Sequence, residues 1–333
     1  MYIAANARNI EIFQTGRIIG RDDDKQHYGI IESVTLETDA ENGDYLTVTG
    51  RFLMSLLSRR IIYPTLSFSA LTSYADMVRL AVYRNCMQSD NRLIPGLRHS
   101  STNGDCWEQK ARLQVSYENL MEWIFKVCEM IGGTANIRLQ ETSAGSGIYT
   151  MMLDLSQGTD RSIWQEDNAH IVFSDSYCNL LTFGYSMDLL AQKNVAYVLG
   201  CSEGMERKRT VCYRGDEPAQ LNRYEVYVDA KDVSSETQEN GETVQIPDDD
   251  YLGLLMEKGA ENLVPITEIS ESTIAADNRQ YQYNKDYFIG DYVTVKHERF
   301  GLIQPKIQLV GMIESYDQNG RALTPTFKGR MIL

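Results

Sequence analysis

One part of the chain reads Gly29-Ile30-Ile31-Glu32-Ser33, then Asn42-Gly43, then Leu46-Thr47-Val48-Thr49-Gly50-Arg51. A second copy near the other end reads Gly311-Met312-Ile313-Glu314-Ser315, then Asn319-Gly320, then Leu323-Thr324-Pro325-Thr326, with Gly329-Arg330 after it. In each copy an Asn-Gly pair separates two strand-like runs, and both residues tolerate the positive φ angles of a tight hairpin turn. The shared order favours two related antiparallel β-units, and a chance likeness between ordinary hairpins is the alternative.

Strand-like patterns continue outward from both copies. In the N-terminal part they cover Ile10 to Phe13, Arg17 to Arg21, Tyr28 to Leu36 and Tyr45 to Thr49. Further along they include Val195 to Leu199, Arg209 to Tyr213, Tyr224 to Asp229 and Ala322 to Phe327. Short runs of this kind, separated by turn residues, are typical of antiparallel sheets.

Two segments between the copies carry helical periodicity instead. Residues 73–85 bring apolar side chains to one face and start with a pattern that resembles a capping box. Residues 116–131 predict a second helix, with Ser116 as its cap and Gly132-Gly133 at its end.

A third helix is expected at residues 249–262. The acids Asp248, Asp249 and Asp250 stand at its start, where they complement the positive end of the helix dipole. Calcium binding is the less favoured interpretation, since the triplet lacks EF-hand spacing. Just before it, residues 231–246 are acidic and polar, which predicts a mobile loop that folding does not require.

The formal net charge of −14 is concentrated in one part of the chain. Residues 229–250 contain eight acids and one lysine, so this segment carries −7, half of the excess. The remainder has no basic stripe, and phosphate binding depends on Lys and Arg side chains that release counterions. Sequence-specific binding of nucleic acid is therefore not expected.

These patterns together predict an α+β, β-rich fold in which two related antiparallel β-barrel-like units flank an α+β middle region. At 333 residues the chain is too long for one ordinary core. The expected domains are residues 1–64 (first β-barrel-like unit), 65–165 (α+β), 166–284 (β-rich, with acidic loop 231–246 and helix 249–262) and 285–333 (second β-barrel-like unit).

No catalytic, cofactor-binding or metal-binding constellation is recognisable in the sequence. The histidines are far apart and lack metal-ligand spacing: His27, His99, His170 and His297. There is no phosphate-binding glycine loop or CxxC pair. The chain is therefore expected not to be an enzyme and to need no cofactor or metal. A cysteine and a histidine brought together only by folding remain an alternative.

Targeting and membrane signals also give no match. Residues 1–8 lack an apolar run after a basic region, so they do not form a signal peptide. The longest apolar-rich stretch, residues 120–131, contains three charged residues and is too short to cross a bilayer. No membrane insertion by this chain is expected, and its six cysteines are typical of buried thiols in a reducing compartment.

Several longer blocks are specific enough to compare with a known family. They are Gly50-Arg51-Phe52-Leu53-Met54-Ser55-Leu56-Leu57-Ser58-Arg59-Arg60-Ile61-Ile62, Arg92-Leu93-Ile94-Pro95-Gly96-Leu97, Gly158-Thr159-Asp160-Arg161-Ser162, Val172-Phe173-Ser174 with Asn179-Leu180, Arg223-Tyr224-Glu225-Val226-Tyr227-Val228-Asp229-Ala230 and Asp286-Tyr287-Phe288-Ile289-Gly290-Asp291-Tyr292-Val293-Thr294-Val295. From about residue 10 to the end, their order and spacing resemble a siphophage minor tail protein family related to baseplate hubs.

Each block also has a purely structural interpretation. Leu53, Leu56 and Leu57 are expected in the core of one short helix. Arg59-Arg60 is either a solvated pair or an intersubunit contact. The block 158–162 is expected to be a turn with an Asp/Arg pair, and Gly290-Asp291 a tight turn that enters a strand.

The resemblance implies a structural, non-enzymatic subunit of a long-tailed phage tail tip, of phage or prophage origin. Hubs of this kind have two β-barrel-like domains per subunit, and three subunits form a ring that mimics six-fold symmetry between the tail tube and the tip. The implied partners are distal tail, tape measure and tip or fibre proteins, with a homotrimer in the assembled tail. Location in the virion tail, assembly in the host bacterial cytoplasm and a DNA-passing lumen without basic lining are also implied.

Two other functions and one departure from the family remain open. The chain is alternatively a receptor- or glycan-binding module of the tail tip, or a tail-associated cell-wall hydrolase. Family members usually carry further residues before the part that matches Tyr2 to Phe13. The first β-unit is therefore expected to lack its leading strands and to have an incompletely paired edge.

Overall fold

The computed structural model describes residues 1–22, 24–39, 43–88, 90–201, 203–204, 207–239, 242–264, 267–274, 280–317 and 320–330. Asn42 and Asn319, the first residues of the two predicted Asn-Gly turns, lie outside the described residues. The strands on either side of both turns are described, so the hairpins themselves can be compared.

Two large sheets lie at the two ends of the chain. The first contains, in spatial order, β1 (Tyr2–Ala4), β4 (Gly43–Phe52), β3 (Asp24–Asp39) and β2 (Ile18–Arg21). The last contains β10 (Val172–Ser174), β18 (Tyr292–His297), β19 (Leu302–Asp317), β20 (Gly320–Arg330), β17 (Thr267–Ile274) and β11 (Leu180–Asp188). The fold is β-rich α+β, as predicted.

The two sheets share one four-strand antiparallel arrangement. In the first, β1 pairs with β4, β4 with β3 and β3 with β2. In the last, β17 pairs with β20, β20 with β19 and β19 with β18. The predicted relation between the two β-units is therefore confirmed at the level of strand order.

The pairing register of the two hairpins is different. Leu46 lies opposite Leu36, whereas the corresponding Leu323 lies opposite Glu314. The second copy has fewer residues between its Glu-Ser pair and its turn, so its two motifs meet at another point along the ladder. The two copies therefore share the same strand order but differ in pairing register.

The edges of both sheets are open within the described part of the chain. The strands β1 and β2 each have one neighbour, and so do β10 and β11. The incompletely paired edge expected for residues 2–21 is present. The last sheet also takes three of its strands from segments before the predicted range 285–333.

The middle of the chain is mixed. It contains the helices α2 (Tyr74–Cys86) and α3 (Leu120–Ile131), a sheet of β6 (Leu97–Asn103), β9 (Tyr149–Gln157) and β8 (Gly133–Glu141), and a pair of short strands, β5 (Leu66–Phe68) and β7 (Leu113–Val115). Short 3-10 helices cover Leu53–Arg59, Asp105–Glu108, Gln220–Asn222 and Glu298–Phe300.

A separate unit of sheet and helix follows. Its sheet has β12 (Val195–Leu199) between β13 (Arg209–Tyr213) and β14 (Glu225–Asp229), and α4 (Asp248–Glu261) packs on one face. We call this the α4 unit. Among the described residues, no helix is long and apolar enough to span a membrane.

The predicted helices are present, but one cap is wrong. Helix α2 starts after Ser73, whose side chain accepts a hydrogen bond from the Asp76 amide. Helix α3 is capped by Asn119 and not by Ser116. The residues just before Asn119 instead exchange backbone hydrogen bonds with Ile62, so they cannot join the helix. Gly132, at φ 71°, ends it as predicted.

Two segments differ from their predicted structure. Residues 10–13 were predicted as strand, but residues 10–12 belong to helix α1 (Ala7–Ile12), which Asn6 caps at its start and Phe13 ends. So short an apolar run cannot distinguish the two periodicities. The acidic segment 231–246 contains a hairpin of β15 (Glu236–Glu239) and β16 (Glu242–Gln245) where a loop was predicted. Its mobility stays a prediction.

Among the described residues, the hydrophobic core is divided into four clusters. The largest joins α2, α3 and the strands between residues 66 and 155 around Trp107 and Trp123. A second lies on the last sheet around Phe173 and Phe327, and a third lies between α4 and its sheet. A small cluster around Ile31 fills the first sheet. Ile30 of the first sheet also packs in the largest cluster, so apolar contacts join these two parts.

The largest core and the last sheet meet at the buried carboxylate of Asp291, which is 3% exposed. One oxygen accepts from the Thr159 amide at 2.7 Å, and the other accepts from Arg161 Nε at 3.0 Å and from the Phe288 amide at 3.0 Å. The predicted Asp/Arg pair within residues 158–162 is wrong, because Arg161 pairs with Asp291 while Asp160 pairs with Lys306. Removing one partner of a buried ion pair costs about 3–5 kcal/mol.

The α4 unit joins the largest core through charged side chains. Lys258 Nζ lies 3.1 Å from Asp232, 3.6 Å from Glu118 and 3.8 Å from Glu261. Arg112 and Asp250 form a second ion pair across the same interface at 2.5 Å. This interface therefore depends on charge state more than the apolar cores do.

Gly158 allows the closest backbone approach at the Asp291 junction. A Cβ atom at this position would lie 1.8 Å from the Gly290 carbonyl oxygen. We expect Gly158→Ala to destabilise the protein by at least about 2 kcal/mol in thermal denaturation, because backbone must move to admit the methyl group.

The matched control is Gly253→Ala in helix α4, where the nearest atom would be 3.7 Å away. This substitution should stabilise the protein by about 0.5–1 kcal/mol, since alanine favours helix interiors. If both variants had the stability of the wild type, the close approach at Gly158 would be disproved.

Glu261 should make the stability of the α4 interface depend on pH. Burial raises its pKa to about 7, with Lys258 and Lys126 opposing the shift and Glu118 and Glu257 adding to it. Since the folded state holds this proton more tightly, stability should fall as pH rises from about 5 through about 7. Glu261→Gln should remove this fall and stabilise the protein at about pH 8 by roughly 1–3 kcal/mol.

Urea unfolding across this pH range would test the prediction. The matched control is Glu11→Gln on the exposed face of α1, which should leave the pH profile unchanged. A Glu261→Gln profile parallel to that of the wild type would contradict it.

Candidate assembly surfaces

The repeated glutamate of the two β-units is held by two arginines in each copy. Glu32 accepts from Arg51 Nε at 2.7 Å and Nη2 at 2.8 Å, and from Arg59 Nη2 at 3.2 Å. Glu314, its counterpart, pairs with Arg21 at 2.5 Å and with Arg321. In each unit a strand glutamate is thus held by two arginines, which we call a clasp, although the arginines stand at different positions in the two copies.

The arginines also explain the electrostatics of Glu32. The hydrogen bonds from Arg51, and then from Arg59, lower the pKa of this carboxyl to about 2. It therefore stays charged under physiological conditions. Arg21 belongs to the first β-unit and Glu314 to the second, so the clasp of the second copy connects the two units.

The segment after the first unit is confirmed as core on its apolar side. Leu53, Leu56 and Leu57 are buried in the 3-10 helix Leu53–Arg59. The two arginines that follow have different roles. Arg59 pairs with Glu32, whereas Arg60 donates to backbone carbonyls of Arg59 and Arg92. The hypothesis of an intersubunit contact is untested for both.

The sheet of the α4 unit exposes two neighbouring tyrosines, Tyr197 and Tyr227, on the face opposite α4. We call this the tyrosine face. Tyr197 lies opposite Tyr227 on one side and opposite Val211 on the other, and all three are at least 38% exposed. Arg223 donates to the Tyr197 hydroxyl at 2.8 Å, and Arg207 donates to the Tyr227 hydroxyl at 3.2 Å. These contacts fix the rings, so the face is rigid and amphipathic.

The histidines are not brought together. His27 packs against Phe52 in the first sheet, whereas His297 stacks on Phe300 in the last. Within the described ranges, no three His, Cys, Asp or Glu side chains are placed to hold a metal ion. The six cysteines are free thiols.

Sequence reasoning missed both the clasps and the tyrosine face. The clasps had a signal, because each repeated glutamate is accompanied by an arginine near its hairpin, Arg51 or Arg321. The tyrosine face had a weaker one, in the alternation of Tyr with buried residues along β12 and β14. Which tyrosines share a face depends on strand register.

Solved structures share this fold. The tail protein from Neisseria meningitidis MC58 is 15% identical, with a TM-score of 0.52 over 91% of this chain and 80% of that one. The 43 kDa tail protein of prophage MuSo2 from Shewanella oneidensis is 11% identical, with a TM-score of 0.50 over 92% and 81%. No curated protein sequence is similar enough to count as a match.

One family model covers almost the whole chain. It describes the Siphovirus ReqiPepy6 Gp37-like protein and matches residues 2–327. This agrees with the predicted siphophage tail family, implies a place in the virion tail and suggests contact with other tail proteins. The chain therefore belongs to the Siphovirus ReqiPepy6 Gp37-like family of phage tail proteins.

Proposed function

We propose that this protein is a non-enzymatic hub subunit of the tail tip, which joins the tail tube to the tip and lets DNA pass. The observation that carries the proposal is the repetition of one four-strand order, β1-β4-β3-β2 and β17-β20-β19-β18, at the two ends of a single chain. Membership in a phage tail protein family supports it.

A symmetry mismatch between tail tube and tip would explain why one chain carries two similar β-units. A six-fold tube must be connected to a three-fold tip, and three subunits with two similar β-units each present six similar positions. The clasp between Arg21 and Glu314 and the junction at Asp291 support this role, because they fix one unit relative to the rest of the chain. Open strand edges offer backbone groups for pairing between subunits.

The proposed partners are other tail proteins: distal tail, tape measure, and tip or fibre proteins. The proposed lumen lacks a basic lining, because tight phosphate binding would stall DNA ejection. Assembly would take place in the cytoplasm of the host bacterium.

We expect the chain, assembled with its neighbouring tail proteins, to form a ring of three copies with six similar β-unit positions. Electron microscopy of the assembled tip would test this. A ring of six copies, or two β-units of one chain at unlike positions, would contradict the proposal. Arg21→Gln should reduce ring yield, whereas Arg8→Gln, at an exposed position, should not.

A second candidate function is glycan recognition by the tyrosine face of the α4 unit. Tyrosine rings fixed by arginines suit stacking on sugar rings, with the polar groups at their edges as hydrogen-bond partners. Arg207 pairs with Asp229, and Arg223 pairs with Glu217 and Glu225, so the face favours an uncharged ligand.

A glycan array of bacterial surface saccharides would test this second function. Binding that is lost in Tyr197→Ala/Tyr227→Ala and retained in Tyr2→Ala/Tyr149→Ala, a matched loss of exposed tyrosines elsewhere, would support it. Equal binding by both double variants, or none by the wild type, would exclude the tyrosine face as a glycan site.

A further inference from the structure

We propose that a groove lined by Arg60, Ile61, Tyr63 and Arg92, with the Tyr117 ring beside Tyr63, binds an acidic segment of a partner protein that also carries an apolar side chain. We call it the arginine–tyrosine groove. It has a volume of about 470 Å³, and Ser58 and Arg59 complete its lining. This inference concerns a binding site outside the β-units and does not depend on the proposed ring.

Two guanidinium groups in the groove are fixed but not neutralised. Arg60 Nε donates to the Arg92 carbonyl at 3.1 Å, and Arg92 Nη2 donates to the Ile61 carbonyl at 2.5 Å. Arg59 next to them pairs with Glu32, whereas none of the described carboxylates forms an ion pair with Arg60 or Arg92. Each guanidinium has five N–H donors, so both retain donors for a ligand.

The backbone beneath the arginines is held rigidly on both sides. The Leu120 amide donates to the Arg60 carbonyl at 3.0 Å, and the Ile62 amide donates to the Glu118 carbonyl at 2.9 Å. On the other side the Tyr63 amide donates to Asn85 Oδ1 at 3.0 Å. A ligand would thus meet a preformed site, which lowers the entropic cost of binding.

The apolar side chains at the groove are exposed to solvent. Ile61, Tyr63 and Tyr117 are 50%, 55% and 66% exposed, and the two tyrosine rings lie 6.1 Å apart. Tyr117 has a φ of 58°, a conformation that costs a bulky residue about 1–3 kcal/mol. Such a conformation tends to persist where it places a side chain for function. Arg and Tyr are also the residues that dominate binding energy at protein interfaces.

Charge determines which kind of partner fits. The protein carries −14 overall and has no basic stripe, so a long polyphosphate would be repelled around this small cationic spot. A carboxylate matches the planar fork of an arginine, as Glu32 does with Arg51 at 2.7 and 2.8 Å. The tyrosines beside the arginines would cover an aliphatic or aromatic neighbour of that carboxylate.

The experiment measures binding of the full chain to a random copolymer of glutamate and tyrosine, with polyglutamate and duplex DNA as competing probes. We expect the copolymer to bind more tightly than polyglutamate and DNA. Arg60→Gln/Arg92→Gln should weaken it at least about tenfold, since both guanidinium charges and their remaining N–H donors are lost. The control Arg8→Gln/Arg98→Gln removes the same charge from exposed positions elsewhere and should change binding little.

A second variant separates binding from folding. Tyr117→Gly removes the ring and relieves the positive φ, so the protein should keep its thermal stability while binding the copolymer several-fold more weakly. Equal binding by wild type and groove variants would overturn the proposal, and so would tighter binding of DNA than of the copolymer. Neither result would bear on ring formation, so failure here is distinguishable from failure of the proposed hub function.

Discussion

The buried carboxylate of Asp291 is the contact on which the arrangement of the molecule depends. It accepts hydrogen bonds from Thr159 and Phe288 amides and from Arg161, and so ties the end of the largest core to the start of the last sheet. A buried charge left without these partners would be too costly to keep. The junction therefore has one stable geometry, and the last sheet is fixed where the chain leaves β9.

A second contact joins the two β-units of the repeat. Two β-units with the same strand order could be joined flexibly, yet here Arg21 of the first contacts Glu314 of the second. A rigid pair of similar units is what a subunit needs if it presents each unit at an equivalent position in a ring. The register differs between the units, so strand order is the feature the two copies retain.

The remaining parts are joined more loosely in energetic terms. The α4 unit contacts the largest core through the ion pairs of Lys258 with Glu118 and of Asp250 with Arg112, whose strength depends on pH and salt. The tyrosine face and the arginine–tyrosine groove lie on different parts of the chain. Both arginines of the first are paired with carboxylates, whereas none of the described carboxylates forms an ion pair with Arg60 or Arg92 of the second, so the two surfaces suit different ligands.

The local structure and the repeat could be predicted from the order of residues alone. Ser73, Gly132 and the acids in the first turn of α4 place the helices, because caps and dipole interactions act within one turn. The alternating runs around 29–51 and 311–330 determined the hairpins for the same reason. Two of the wrong predictions have separate causes. Ser116 does not cap α3, because the residues before Asn119 form backbone hydrogen bonds with Ile62. Residues 10–12 are helical, because Asn6 caps the start of α1.

The contacts between side chains that are distant in sequence could be identified only in the folded chain. Asp291 with Arg161, Glu314 with Arg21, and Arg60 with Arg92 are pairs whose members lie far apart in sequence. The sequence contains many arginines and carboxylates, and it does not indicate which arginine pairs with which carboxylate. The choice among them follows from strand register and from the packing of separate cores, which place charged groups to within hydrogen-bonding distance and which no local pattern encodes.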